Sequence, residues 1–303
     1  MVVALGGNAI APPGSRGRVA GQDRRIQETA RQLVHLTDGP LVLTHGNGPQ
    51  VGDALLRSEL AAVVLPRQPL DACVAVTQGE LGYRIGQALD DAGAVRRPVA
   101  LLTRTVVAAD DPAFRQPSKP VGEAYDEAEA RRRIAADGWV MREDPGRGWR
   151  RVVASPAPRR IVELPAIRAL LAAGATVVAV GGGGVPVARQ PDGTLAGVEA
   201  VVDKDLATAL LAGELGAEVL LVLTAVEHVA LDYGRPTERP LHEVRAAELA
   251  AHARRGQFAA GSMRPKVQAV LDFLARGGRR AVITTAELSE KALAGEVGTQ
   301  VIP

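Results

Sequence analysis

Short runs of apolar, often β-branched residues alternate along this chain with longer segments in which apolar residues recur at helical spacing. Parallel strands need a crossover connection, usually a helix, so this order predicts an α/β protein with a mainly parallel sheet. The predicted strands span residues 2–5, 41–44, 99–103, 176–180, 219–224 and 281–284. The predicted helices span residues 22–37, 50–64, 72–92, 163–173, 205–213, 246–255 and 266–275.

The character of the chain changes between residues 108 and 157, where proline, glycine and arginine cluster and where Trp139 and Trp149 are expected to be exposed. Because residues 151–153 are strand-like, we predict a small subdomain that is inserted here and protrudes from the main sheet. The alternative is a disordered basic loop. The predicted organisation is an N-terminal lobe (residues 1–107), the inserted subdomain (residues 108–157) and a C-terminal part (residues 158–303).

Three of the predicted strands run directly into turns rich in glycine. We name them the first glycine turn (Gly6, Gly7, Asn8), the second glycine turn (Gly46, Asn47, Gly48) and the third glycine turn (Gly181, Gly182, Gly183, Gly184). Asn8 and Asn47 are the only asparagines of the chain. Free backbone N–H groups at the end of a buried strand can converge on an anion, especially where a helix begins next. The alternative is a set of tight turns in which glycine and asparagine are simply tolerated.

Lysine is rare, with four residues among 36 Lys and Arg. Lys119, Lys204 and Lys266 lie in short segments rich in Gly, Pro and Asp, whereas Lys291 resembles an ordinary surface residue. A compact, rotatable ammonium fits spaces that a planar guanidinium does not, and phosphate oxygens are its obvious partners. The alternative is that codon bias removed most lysines and that these positions are chance survivors.

Lys204 lies between Asp203 and Asp205 at the start of a predicted helix. Taken alone, two carboxylates beside one ammonium at this position indicate an N-cap with local ion pairing. Together with three glycine turns and two further isolated lysines, the segment is typical of a site that holds lysines against a phosphoryl group. We therefore expect a phosphate-binding cleft.

Composition argues against several other functions. The formal net charge of +2 and the sequence pI of about 8.9 do not indicate a nucleic-acid surface. No apolar run reaches membrane-spanning length, and the N-terminus does not resemble a signal peptide. The single cysteine, Cys73, excludes an internal disulfide and is predicted to be buried and inert, which fits the cytoplasm. The five histidines lack metal-ligand spacing, and both G-x-x-x-x-G-K-[ST] and a convincing G-x-G-x-x-G are missing, which disfavours a nicotinamide dehydrogenase.

Seven segments together resemble the carbamate kinase family, a branch of the amino-acid kinase superfamily, and the resemblance runs from residue 2 to residue 301. The segments are LGGNA at 5–9, HGNGPQVG at 45–52, TQGELGY at 77–83, SKPVG at 118–122, GGGGVPV at 181–187, GVEAVVDKD at 197–205 and FAAGSMRPKV at 258–267. Each segment is short, and the resemblance is specific because all seven occur in the same order as in the family.

The resemblance implies reversible transfer of a phosphoryl group between carbamoyl phosphate and ADP, which gives carbamate and ATP with Mg²⁺. It also implies a three-layer α/β/α sandwich with a central, mainly parallel sheet and a small protruding subdomain, assembled as a homodimer. The expected partners are therefore small molecules, with no nucleic acid and no membrane. Two alternatives stay open: a kinase for another small carboxylate, and a sensor that binds carbamoyl phosphate and ADP without turnover.

The family pattern also implies which residues form the site. Four are expected to be catalytic: Lys119, Lys204, Asp205 and Lys266. The substrate is expected on Gly6, Gly7, Asn8, Gly46, Asn47, Gly48, Gly181, Gly182 and Gly183. The nucleotide is expected on Thr224, Ala225, Val226, Tyr233, Met263, Pro265 and Lys266. No direct metal ligand is assigned, although Asp205 is a candidate through water.

Overall fold

A computed structural model of the chain describes residues 1–10, 19–144, 146, 148–259 and 261–303. These ranges contain seventeen strands and nine α-helices. The strands are β1 (Val2–Leu5), β2 (Val42–His45), β3 (Pro98–Ala100), β4 (Arg104–Val107), β5 (Lys119–Tyr125), β6 (Met141–Asp144), β7 (Gly148–Val153), β8 (Arg160–Ile161), β9 (Thr176–Val178), β10 (Val185–Arg189), β11 (Leu195–Gly197), β12 (Val219–Leu223), β13 (Val229–Leu231), β14 (Arg239–Leu241), β15 (Glu243–Arg245), β16 (Arg280–Thr284) and β17 (Thr299–Ile302). The helices are α1 (Val19–Leu33), α2 (Gly48–Leu60), α3 (Leu70–Asp91), α4 (Glu127–Asp137), α5 (Leu164–Ala172), α6 (Lys204–Leu215), α7 (Ala246–Arg254), α8 (Met263–Ala275) and α9 (Ser289–Leu293).

The main sheet has eight strands in the order β15-β17-β16-β12-β1-β2-β9-β3. Neighbouring strands are parallel throughout, except that β17 runs antiparallel to β16. The predicted α/β class with a mainly parallel sheet is therefore confirmed. Each of the six predicted strands corresponds to a strand of this sheet, although residues 101–103 lie beyond the end of β3.

Helices cover both faces of the main sheet, so the fold has three layers. Val2 and Ala4 of β1 point into a core shared with α5, α6, α7 and α8. Val3 and Leu5, the alternate residues of the same strand, point into a second core shared with α1, α3 and α9. A strand buried on both faces needs apolar residues at every position, which explains the continuous runs in the sequence.

A second sheet of four strands, in the order β11-β10-β4-β8, begins where the main sheet ends. β4 follows β3 after three residues, and β10 follows the third glycine turn directly. β13 and β14 form a separate antiparallel pair. None of these strands was predicted, because most have three to five residues and no long apolar run.

The segment predicted as an inserted subdomain forms a three-stranded antiparallel sheet, β5-β7-β6, together with α4. The expectation of an exposed Trp139 is wrong, since this residue is only 8% exposed, and Trp149 is half-buried. The guanidinium carbons of Arg133 and Arg151 lie 4.9 and 4.8 Å from the centre of the Trp139 ring, a cation–π arrangement. Trp139 also packs with Ala130 and Met141, so the described part of this segment has a small apolar core of its own.

The subdomain contacts the main body through α2. A Cβ atom built on Gly52 would overlap the backbone of Gly122, so the two glycines let helix and strand approach closely. Nearby, the Glu59 carboxylate lies 3.4 Å from a guanidinium nitrogen of Arg151 and 3.9 Å from one of Arg133. The side chain of Glu59 is only 10% exposed, so this ion pair is largely shielded from water.

The prediction of a buried Cys73 is confirmed, since its side chain is fully buried and burial raises the pKa of the thiol.

Among the described residues, none of the helices combines the length and apolarity that a bilayer crossing requires.

Candidate active site

The three glycine turns lie at one edge of the main sheet. β1, β2 and β9 are adjacent and parallel, and each reaches its turn at its carboxyl end. Ligands of open α/β sheets bind at this edge. α2 begins at Gly48, directly after Asn47, so the second glycine turn also opens a helix.

The third glycine turn is buried and needs its glycines. Val180, Gly182, Gly183 and Gly184 all have positive φ angles, of 54°, 62°, 91° and 85°. A Cβ atom at Gly181 would overlap the ring of His45, and one at Gly182 would overlap the side chain of Asn47. The second and third turns therefore pack directly on each other, which a flexible connection would not require.

Side chains from α3 and the residues after β3 support these turns. Asn47 donates a hydrogen bond of 2.9 Å to the Thr77 hydroxyl. Gln78 and Thr103 exchange two hydrogen bonds, of 2.9 and 3.0 Å, and the Thr103 hydroxyl accepts one of 2.6 Å from the N–H of Val180. None of Thr77, Gln78 and Thr103 was predicted to have a role at the site. Thr77 and Gln78 open the TQGELGY segment of the family resemblance, whereas Thr103 lies in none of the seven segments.

Asp205 brings together two of the predicted lysines. It lies in the first turn of α6, and its carboxylate is 2.6 Å from Lys204 Nζ through Oδ1 and 2.9 Å from Lys266 Nζ through Oδ2. Lys266 comes from the first turn of α8, which packs along α6. The side chains of Lys204 and Lys266 are 12% and 13% exposed, so both ammonium groups are largely desolvated.

The electrostatics of this trio favour an anionic ligand. Burial opposes ionisation of Asp205, but Lys204 and Lys266 outweigh it and hold the pKa of this carboxyl well below its ordinary value. Burial lowers the pKa of Lys204, and the charge of Lys266 lowers it further, while Asp205 opposes both. Two ammonium groups share one carboxylate, so the trio carries one net positive charge.

Lys204 also contacts the second glycine turn. A Cβ atom at Gly46 would lie 3.4 Å from Cδ of Lys204, so the lysine stem packs along this turn. The adjacent His45 is 1% exposed, and its Nδ1 lies 2.9 Å from the carbonyl oxygen of Gly46. Burial lowers the pKa of His45 to about 4, so the imidazole is neutral near pH 7.

Lys119 approaches the site from the subdomain. It is the first residue of β5, and its ammonium lies 2.7 Å from Oδ2 of Asp203. Asp203 is the N-cap of α6, directly before Lys204. The three predicted lysines, which are 62 to 147 residues apart in sequence, thus meet two carboxylates at the start of one helix.

The residues predicted to bind nucleotide follow the neighbouring strand. Thr224 comes directly after β12, and its N–H donates a hydrogen bond of 2.8 Å to the carbonyl of Thr284 at the end of β16. A Cβ atom on Gly6 would lie 2.5 Å from the carbonyl oxygen of Leu223, so the first glycine turn touches this strand end. Tyr233 is 68% exposed in the loop after β13.

The other residues predicted to bind nucleotide or substrate lie at the start of α8 and in the first and second glycine turns. Met263 and Pro265 lie in the first turn of α8 together with Lys266. Around Gly7 and Gly48, a Cβ atom would meet nothing within 4 Å, so these glycines face open space. The backbone of Asn8 lies in a short 3-10 turn, and its side chain is outside the described part of the structure.

No metal cluster of three or more His, Cys, Asp or Glu side chains occurs among the described residues. Both oxygens of Asp205 already lie within hydrogen-bond distance of lysines, which disfavours direct coordination of a metal ion.

Comparisons with known proteins agree on one family. The sequence model of the amino acid kinase family matches residues 1–285. A carbamate kinase of Thermococcus kodakarensis is 47% identical over an alignment of 311 residues, which covers 100% of this chain and 98% of that protein. A crystal structure from Aeropyrum pernix K1 superposes with a TM-score of 0.94 at 43% identity, covering 99% and 98% of the two chains. A carbamate kinase from Giardia lamblia bound to AMP-PNP superposes with a TM-score of 0.91 at 40% identity, covering 99% and 97%.

Proposed function

Because this chain belongs to the amino acid kinase family, in its carbamate kinase branch, we propose that it transfers a phosphoryl group reversibly between carbamoyl phosphate and ADP, giving carbamate and ATP. The observation that carries the proposal is the buried Asp205 with Lys204 and Lys266, beside the glycine turns. Relatives named carbamate kinase support the choice of substrate.

Phosphoryl transfer asks for positioning and charge stabilisation more than for a protein nucleophile. The group in transit spreads negative charge over three equatorial oxygens while it lies nearly in line between donor and acceptor. We assign Lys204 to the transferring group, because its stem lies along the second glycine turn. Lys266, at the start of α8, is assigned to the nucleotide phosphates, and Asp205 fixes both ammonium groups.

The substrate end of the cleft is assigned to the glycine turns and to Lys119. Backbone N–H groups of Gly6, Gly7, Gly46, Gly48 and Gly181 to Gly183, together with Asn8 and Asn47, would bind the small carbamoyl group. Lys119 would reach the same end from the subdomain. Residues 108–157 would then act as a lid over the lobes formed by residues 1–107 and 158–303, since water would hydrolyse the mixed anhydride.

The nucleotide end is assigned to the turn of Thr224, Ala225 and Val226, to Tyr233, and to the start of α8 with Met263, Pro265 and Lys266. The Giardia relative binds AMP-PNP, which supports a nucleotide site in this chain. Mg²⁺ would neutralise charge on the nucleotide phosphates when the nucleotide binds. The three lysines supply the remaining positive charge.

We also propose a homodimer. Val76 and Tyr83 on α3, and Leu102 after β3, are large apolar side chains that are 48%, 67% and 50% exposed on neighbouring elements. Burial of such surface against a second copy would be favourable. Sedimentation equilibrium tests this, and a monomer at micromolar concentration would contradict it. The cytoplasmic location predicted from the sequence stays a prediction.

ATP formation from MgADP and carbamoyl phosphate tests the function, with acetyl phosphate as the comparison substrate. Lys204→Ala and Lys266→Ala should each lower turnover by at least about 100-fold, because each removes a preorganised donor, while the protein stays folded. Lys291→Ala is the matched control, since Lys291 is exposed on α9. Near-normal turnover in either cleft variant would reject the role assigned to that lysine.

The same assay separates the alternatives. Binding of both ligands without ATP formation by the wild type would identify a sensor. Transfer to a different carboxylate, with carbamate rejected, would identify another small-acid kinase.

A further inference from the structure

Asp203 makes two kinds of contact with its two carboxylate oxygens. Oδ1 accepts hydrogen bonds of 2.9 and 3.3 Å from the N–H groups of Asp205 and Leu206, which caps α6. Oδ2 accepts a hydrogen bond of 2.7 Å from the ammonium of Lys119, 84 residues earlier in the chain. Only the first contact is explained by the fold of α6.

Lys119 needs a partner to stay at the cleft. Its side chain is 33% exposed, so the ammonium could otherwise turn into water, where it is strongly hydrated. A lysine side chain loses up to about 2 kcal/mol of conformational entropy when it is held in one rotamer. The Asp203 side chain is only 16% exposed, which makes it a sheltered anchor.

Asp203 does not hold the whole subdomain. The close approach of Gly52 and Gly122, and the half-buried pair of Glu59 with Arg151, dock the subdomain on α2 at other places. Loss of the Asp203 carboxylate would therefore release the Lys119 side chain and leave β5 in place.

Asp203 and Asp205 flank Lys204 and contact different lysines. Asp205 holds Lys204 and Lys266, while Asp203 holds Lys119. We infer that Asp203 is a positioning residue that orients the Lys119 ammonium toward the substrate end of the cleft. This inference rests on the proposed function, in which Lys119 serves carbamoyl phosphate.

Asp203→Asn separates the two contacts. Asparagine caps helices as well as aspartate does, so α6 keeps its cap, but the neutral amide no longer pairs with Lys119. We expect KM for carbamoyl phosphate to rise about tenfold, the usual scale for losing a hydrogen bond to a charged group, with an unchanged KM for MgADP and an unchanged melting temperature. Asp203→Ser, which also caps, is measured in parallel in case the amide disturbs the fold.

A double-mutant cycle with Lys119→Met identifies the partner. In the Lys119→Met background, Asp203→Asn should have no further effect on KM for carbamoyl phosphate, because the two residues act as one unit. Asp126→Asn is the matched control, since Asp126 caps α4 of the same subdomain through the N–H of Glu129. It should leave both KM values unchanged.

Three results would overturn the inference: an unchanged or lower KM for carbamoyl phosphate in Asp203→Asn, an equal rise in KM for MgADP, or full additivity with Lys119→Met. A lower KM would mean that Asp203 competes with substrate for Lys119. Failure of the proposed function is distinct, because the wild type itself would then form no ATP.

Discussion

His45 should make the stability of this protein depend on pH below neutrality. The folded chain buries the imidazole, with Nδ1 donating to the Gly46 carbonyl, and burial lowers its pKa from 6.5 to about 4. In the unfolded chain the ring titrates near 6.5. Between these values the unfolded chain binds a proton that the folded chain refuses, so the free energy of unfolding falls as pH falls.

The size of the effect follows from the two pKa values. With 1.36 kcal/mol for each unit of pKa difference, the contribution of His45 is fully present above pH 6.5. Relative to pH 7, about 2 kcal/mol is lost by pH 5 and about 3 kcal/mol by pH 4. Against a typical total stability of about 5–15 kcal/mol, such a loss is easily measured.

Urea denaturation at pH 7, 6, 5 and 4 provides the measurement. His45→Gln removes the titrating group, so the difference in unfolding free energy between wild type and variant should change by these amounts across the range. His35→Gln is the matched control, because His35 is exposed, and it should follow the wild type. If wild type and His45→Gln lost stability in parallel, the burial of an uncharged imidazole would not govern this pH dependence.

Two further substitutions test the packing around the cleft and the subdomain. Gly182→Ala should cost at least about 2 kcal/mol of stability in urea denaturation, since φ is +62° and the new Cβ overlaps the neighbouring turn, whereas Gly86→Ala in α3 should be neutral or stabilising. If Gly182→Ala were as stable as Gly86→Ala, the third glycine turn would not require glycine at this position. Glu59→Gln should speed proteolysis within residues 108–157 by weakening the pair with Arg151, while Glu127→Gln, exposed on α4, should not. Cleavage at the wild-type rate in Glu59→Gln would show that other contacts hold the subdomain.

The central strands of the main sheet were predictable because they are buried on both faces. β1 and β12 carry apolar residues at every position and end at turns, which leaves little ambiguity. The short strands gave no such signal: β15 and β17 pair at the far edge, and β8 has only two residues. Their positions depend on partners that are distant in sequence.

α4 was also not predicted from the sequence. It is mostly charged, with Ala130 as its one buried residue, so no apolar periodicity marks it. Its stability comes from the Asp126 cap and from ion pairs such as Arg133 with Glu129. The burial of Trp139 was missed for a related reason, because its arginine partners look like solvent-facing residues in the sequence.

The sequence indicated which lysines belong to the candidate site, but not which carboxylates they contact. Scarcity of lysine drew attention to Lys119, Lys204 and Lys266, and the ammonium groups of all three contact carboxylates at the start of α6. The pairing of Lys119 with Asp203 had no local signal, since it joins the subdomain to the main body. Sequence spacing cannot reveal such contacts until the fold is known.

The contact of Gly6 with the Leu223 carbonyl limits how the two halves of the protein could be recombined. Main chain meets main chain there, so no side chain can shrink or rotate to accommodate a differently shaped partner. A chimaera that takes its C-terminal half from another kinase would need a backbone after β12 that leaves the same space for the first glycine turn. The halves of this enzyme are therefore not interchangeable modules at this contact.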